Sequence, residues 1–142
     1  MSQIRTAALA SLLAWCCTGP ALAADLSVAV SGVRDGEGDV RVVLYERPES
    51  FRHEDQAREI RSIAADATTA PVVFTDLAPG RYAVIAYHDA NRNGKLDLFL
   101  GMFPAEGWGM SNDPAVMGPP KFDPAAVMVP HEGGAITIAL HY

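Results

Sequence analysis

Cysteine is nearly missing from this 142-residue chain: Cys16 and Cys17 sit side by side near the start, and no other follows. A disulfide framework and a catalytic thiol are therefore excluded for the remainder, whose stability must come from buried apolar surface. Basic charge is scarce too, with 11 Lys and Arg against 17 Asp and Glu and a formal net charge of −6. That balance argues against a nucleic-acid partner, which wants a basic face. Long apolar runs are also lacking. The longest, Ala7–Cys16, is too short and too soon followed by Gly19-Pro20 to span a bilayer as a helix. The four histidines, His53, His88, His131 and His141, show no spacing of a zinc motif.

What is present first is an export signal. Arg5 supplies the positive start, Ala7–Cys16 the apolar stretch and Ala21-Leu22-Ala23 the small-x-small cleavage site. Trp15 stands where a lipidated cysteine needs a small neighbour, so acylation at Cys16 or Cys17 is not the expectation. The expected organisation is residues 1–23 as signal peptide and 24–142 as one domain, exported to the periplasm or beyond, acidic and monomeric.

The domain reads as short strands. Leu26, Val28 and Val30 alternate with Ser27, Ala29 and Ser31; a Gly/Asp-rich link then leads to Val40–Tyr45, and the pair is expected to form a hairpin. Phe51 is an expected loop anchor. Gln56–Ala65 fits both a helical stripe and a strand, the neighbouring strands favouring strand or a mixed turn. Pro71–Thr75 is a short strand, and Asp76–Gly80 a turn in which Pro79 presets φ. Arg81–His88 is the cleanest strand, apolar on both faces as a central strand should be. Ala125–Val129 and Ala135–His141 close the set, with Gly133-Gly134 as a turn between them. The expected fold class is a single all-β sandwich, immunoglobulin-like, of about seven strands with one long loop.

Candidate chemistry begins where Arg81–His88 ends. In His88-Asp89-Ala90-Asn91-Arg92-Asn93-Gly94-Lys95-Leu96-Asp97, side-chain oxygens recur at Asp89, Asn91, Asn93 and Asp97, and Gly94 permits the sharp turn. A calcium loop uses this pattern, with the Lys95 carbonyl adding an oxygen. Leu100 stands where the bidentate glutamate belongs, and Glu106 is the residue that could replace it. The same residues form Asx-turns without any ion. Both readings stay open, the absent position-12 carboxylate favouring the metal-free turn.

Next comes a loop of about 25 residues, Leu98–Phe122, a length that is usually functional or mobile. It carries Phe103, Trp108 and Met110, candidates for contact with a ligand or partner in the cell envelope. The competing expectation, and the favoured one, is that its aromatics fold back as a packed lid. No catalytic residues are expected. Ser111 lies in Gly-Met-Ser-Asn-Asp, not a nucleophile elbow, so a hydrolase built on Ser111 and His88, or on Glu106 with Asp97, needs fortunate convergence. His88 is expected to hydrogen-bond the adjacent loop and orient it.

Three segments carry a family likeness. Phe74-Thr75-Asp76-Leu77-Ala78-Pro79-Gly80-Arg81-Tyr82 resembles the strand–turn–strand element of transthyretin-like sandwiches. Joined to the His88–Asp97 motif and to Gly101-Met102-Phe103-Pro104-Ala105-Glu106-Gly107-Trp108-Gly109-Met110-Ser111-Asn112, it resembles domain-of-unknown-function family 2141, small exported bacterial proteins. The likeness runs from about Leu26 to Tyr142. It implies a prealbumin-like sandwich with an export signal and no established activity. The reading is an exported binding or structural module of the envelope, with calcium or none as its cofactor.

Overall fold

The computed structural model describes residues 23–67 and 70–142, so the expected export signal up to Leu22 and the Cys16–Cys17 pair lie outside the described residues. The fold is built on the strand Gly80–Asp89, and in chain order the strands are β1 (Ala24–Ser31), β2 (Asp39–Tyr45), β3 (Glu59–Ala64), β4 (Val72–Leu77), β5 (Gly80–Asp89), β6 (Leu98–Phe99), β7 (Phe103–Pro104), β8 (Trp108–Met110), β9 (Val127–Val129) and β10 (Gly134–Ala139). One helical turn, α1 (Phe122–Ala125), precedes β9. The all-β sandwich stands, with ten strands among the described residues rather than about seven; the additional ones are short pieces of the supposedly irregular loop.

One sheet runs β10-β1-β4 and the other β3-β2-β5-β8, with β9 pairing the start of β5. Between them lies a core of Leu26, Val28, Val40, Val42, Leu44, Phe74, Leu77, Val84 and Ile138, each 1% exposed or less. Full burial of a side chain of this size contributes roughly 1.5–3 kcal/mol, so this layer carries most of the fold.

The expected β1–β2 hairpin does not form. β1 pairs in parallel with β10 and antiparallel with β4, whereas β2 lies in the other sheet between β3 and β5. Both β1 and β2 are apolar on alternate residues, so each has an inward face to bury. The link 32–38 carries the chain from one layer to the other instead of turning within one. Gln56–Ala65 resolves as a 3-10 turn, Glu54–Gln56, followed by β3. Ala125 belongs to α1, not to a strand. Pro124 suits the first turn of a helix, where its missing N–H costs nothing.

The two faces of β5 have different neighbours. Tyr82, Val84 and Ala86 point into the core between the sheets; Ala83, Ile85 and Tyr87 point outward into a second cluster with Val43, Tyr45, Met110, Phe122 and Ala125. Phe51 anchors that cluster as expected, packing edge-on to Tyr45 and to Phe122 with ring centroids 5.3 and 5.9 Å away. Beyond β8, Trp108 and His141 exchange backbone hydrogen bonds of 2.9 and 2.8 Å, joining β8 to the continuation of β10. Gly109 lies at this junction, where a Cβ would fall 2.1 Å from the Ala139 carbonyl oxygen.

Candidate functional site

The acidic loop follows from the end of β5. Asp89 is 2% exposed, and its carboxylate accepts the N–H of Asn93 (2.9 Å) and of Gly94 (2.7 Å), closing a tight turn in which Gly94 takes φ +74°. The Asn91 side-chain oxygen accepts the Asn93 N–H, and the Asn93 side-chain oxygen accepts the Lys95 N–H, two successive Asx-turns. Asn91 and Asn93 then donate their side-chain N–H groups to the Asp97 carboxylate at 2.7–3.0 Å. Glu106 reaches back from beyond β7 and accepts the N–H of Ala90 (3.2 Å) and of Asp97 (3.1 Å). Thus the structure brings Asp89, Asn91, Asn93, Asp97 and Glu106 into one network, with Lys95 in it through its backbone N–H. Each of the carboxylates is already hydrogen-bonded to N–H donors. Among the described residues no group of three His, Cys, Asp or Glu is arranged to hold a metal ion.

This network shapes the segment beyond it. Ala105 donates to the Asp97 carbonyl (2.8 Å) and His88 to the Gly107 carbonyl (2.8 Å), so residues 98–104 are pinched at their base into the small hairpin β6–β7. Pinched in this way, the hairpin keeps its apolar side chains exposed, and the expected packed lid forms only in part: Met110 and Phe122 are buried and Trp108 half-buried against the outer cluster. Leu98, Phe99, Leu100, Met102 and Phe103 are 48–73% exposed, and Met117 is fully exposed.

Between this hairpin and the outer face of β5 lies a cavity of about 680 Å³. Its floor is Ile85 and Tyr87 of β5, Tyr45 of β2 and Trp108 of β8. Leu96, Leu98, Met102 and Phe103 form one wall, and Val116 with Pro119-Pro120 the other. Arg52 and Glu54 stand at its polar end. Glu54 is spent on the protein itself: it accepts Tyr87 Oη–H at 2.7 Å and Arg41 Nη2–H at 3.1 Å, while Arg41 Nε–H also donates to Tyr87 Oη at 2.9 Å. Burial pushes the Tyr45 and Tyr87 phenols well up, and the Glu54 charge pushes both further, so both stay neutral donors. Burial works to lower the Arg41 pKa, but Glu54 and Tyr87 outweigh it and raise it.

Of the three expected contact residues, Phe103 and Trp108 line the cavity and Met110 does not: it is 3% exposed on β8, part of the outer cluster. Sequence reasoning missed Tyr45, Tyr87, Ile85 and Leu96. The second face of Arg81–His88 was their one available signal, since a face apolar but not needed between the sheets must meet something else.

Ser111 is fully buried, its hydroxyl donating to the Ala125 carbonyl and accepting the Val84 N–H, so it is closed to any substrate. His88 does not orient the acidic loop through its ring. Its Nε2 meets the Glu37 carbonyl at 2.6 Å and its Nδ1 the Tyr142 hydroxyl at 2.9 Å, tying the end of β5 to the 32–38 link and to the final residue.

Fold and site together define a class: an all-β sandwich whose central strand ends in an Asx-closed acidic loop and whose outer face holds an apolar cavity. Over residues 28–137 the chain matches the family described as "Uncharacterized protein conserved in bacteria (DUF2141)", and it belongs to that family. Comparisons with curated proteins and with solved structures found no match. Among the described residues no helix is long and apolar enough to cross a membrane.

Proposed function

We propose that the protein is a monomeric binding module of the cell envelope that takes an apolar small molecule into the cavity over β5, and that it is not an enzyme. The observation that carries this is the cavity itself: about 680 Å³, floored by two tyrosines and a tryptophan, beside a hairpin whose apolar side chains are exposed. Ligand sites have volumes of this order and this mix of apolar wall and few polar groups. Exposed Met102 and Phe103 are costly in water and useful only when something covers them. Export to the periplasm or medium, read from residues 1–23, would place the module where such a ligand is met.

The neutral fluorescent probe N-phenyl-1-naphthylamine tests this. Saturable one-to-one binding is expected, weakened about fivefold or more by Met102→Ser with Phe103→Ser, a loss of roughly 1 kcal/mol. Absence of saturable binding, or binding indifferent to both substitutions, overturns the reading.

A second reading concerns the acidic loop, favoured by the convergence of Asp89, Asn91, Asn93, Asp97 and Glu106. Rotating the Asn91 and Asn93 amides would present oxygens where their nitrogens now meet Asp97. Calcium bound there would tighten the base of the hairpin, and thermal melts with millimolar calcium or with chelator decide it: an upward shift supports the ion and no shift removes it.

A further inference from the structure

We propose that the cavity takes an aliphatic monocarboxylate, a fatty-acid-like anion, with its chain against the β5 floor and its carboxylate on Arg52; this rests on the binding reading above. Arg52 carries the argument. The other arginine of the cavity region, Arg41, is held by Glu54 and Tyr87; Arg58, Arg61, Arg81 and Arg92 each pair with a carboxylate, and Arg34 and Arg47 do not line the cavity. Arg52 lines the cavity, and among the described residues no carboxylate pairs with it.

Its placement is not casual. Phe51 is buried in the outer cluster, and the His53 N–H donates to the Ser50 carbonyl at 2.9 Å, so the backbone at 52 is fixed between them. Arg52 has φ +71°, a left-handed conformation that a non-glycine side chain adopts at a cost. Strain of this kind collects at ligand clamps. Tyr45 lies beside it on the cavity floor, and no group among the described residues hydrogen-bonds the Tyr45 hydroxyl, which leaves a neutral donor for a ligand oxygen.

Charge counting selects a monoanion. Glu54 also borders the cavity, and its charge is balanced by Arg41. Asp55 is exposed and does not line the cavity. One unmatched guanidinium therefore remains, enough for one carboxylate held by two parallel N–H bonds. A doubly charged phosphate head would leave an uncompensated charge near Glu54. The walls favour an aliphatic body: Leu96, Leu98 and Val116 are aliphatic, and Met102 is a flexible side chain that moulds to a chain.

Calorimetric titration of the full chain with decanoate and with decan-1-ol tests the proposal. The wild type is expected to bind decanoate about tenfold or more tightly than decanol, as a charge-assisted hydrogen bond gives. Arg52→Gln should bring decanoate down to the decanol level and leave decanol unchanged, with Arg52→Lys between. Arg52→Gly should lose the preference while raising Tm, because it relieves the left-handed strain. Equal affinity for the two in wild type, or a decanoate preference that survives Arg52→Gln, overturns the monocarboxylate and leaves the apolar cavity reading standing. Binding of neither overturns both. Binding only to phosphatidylglycerol vesicles, lost in Phe99→Ser, would assign the hairpin to a lipid surface and overturn the proposal.

Discussion

The two faces of β5 share one backbone and a similar apolar content, yet they end in different environments. The inner face meets another sheet, whose side chains interdigitate with it. The outer face meets the Phe51 turn, α1 and the β6–β7 hairpin, irregular pieces that cover it only in part and leave the cavity. A pleated surface is filled closely by another pleated surface. Segments whose shape is fixed by their own hydrogen bonds cannot follow it, and the misfit leaves a cavity. The inner face is closed by a sheet, whereas the outer face, buried as deeply at Ala83 and Tyr87, also borders the cavity proposed to take a ligand.

That division is most sharply tested on the inner face. Phe74→Ala, at 0% exposure, is expected to cost about 3–5 kcal/mol, read as a fall in urea midpoint. If the variant stays folded, its affinity for the naphthylamine probe should be unchanged. Equal stability of Phe74→Ala and wild type would break the assignment of the two faces.

Asp89→Ala comes next. It removes the acceptor of the Gly94 N–H and one of the two acceptors of the Asn93 N–H, and should cost about 2 kcal/mol, with amide exchange rising in residues 90–106 more than in β1 or β4. Uniform exchange would mean that the hairpin base is not a separate unit.

Alkaline pH gives a graded effect, smaller than that of Asp89→Ala up to about pH 10. Tyr45 and Tyr87 have folded pKa values raised above the ordinary 10.0, so the folded state holds protons that the unfolded chain releases. Their contribution is whole below pH 10 and declines above it, by at most about 1.4 kcal/mol per pH unit for each phenol. The decline should flatten in Tyr45→Phe with Tyr87→Phe, measured by Tm from pH 9 to 11.

The smallest change is expected from Phe99→Ser on the exposed hairpin, within about 0.5 kcal/mol. A large destabilisation there would show that the hairpin packs in solution.

Much of the sandwich was legible in the sequence because it is local. The alternation of β5, the Pro79-Gly80 turn and the Phe51 anchor are written in neighbouring residues. The convergence of Asp89, Asn91, Asn93 and Asp97 was legible for the same reason, since an Asx-turn needs only two residues. What failed was nonlocal. A Gly-rich link marks a turn but not the layer to which the chain returns, so β1 and β2 were joined wrongly. The open hairpin depends on Glu106 reaching the N–H groups of Ala90 and Asp97, pairs sixteen and nine residues apart. No periodicity encodes that closure, and without it Phe103 and Met102 look like lid residues. Met110 lies buried on β8, and no local signal tells this from a loop position, because a methionine beside a tryptophan reads alike on a loop and in a strand.

The junction at Gly109 has one more consequence. Because the Trp108–His141 bridge stitches β8 to the end of β10, and the close approach at Gly109 leaves no gap for a foreign strand, the two sheets behave as one ribbon curled most of the way round. Such a ribbon has one open seam, here flanked by β3 and β4, so apart from the short β6, β7 and β9 the unpaired N–H and C=O groups that could template intermolecular strand pairing border that seam. Reopening the sealed side with a bulky residue at 109 would double the number of sticky borders.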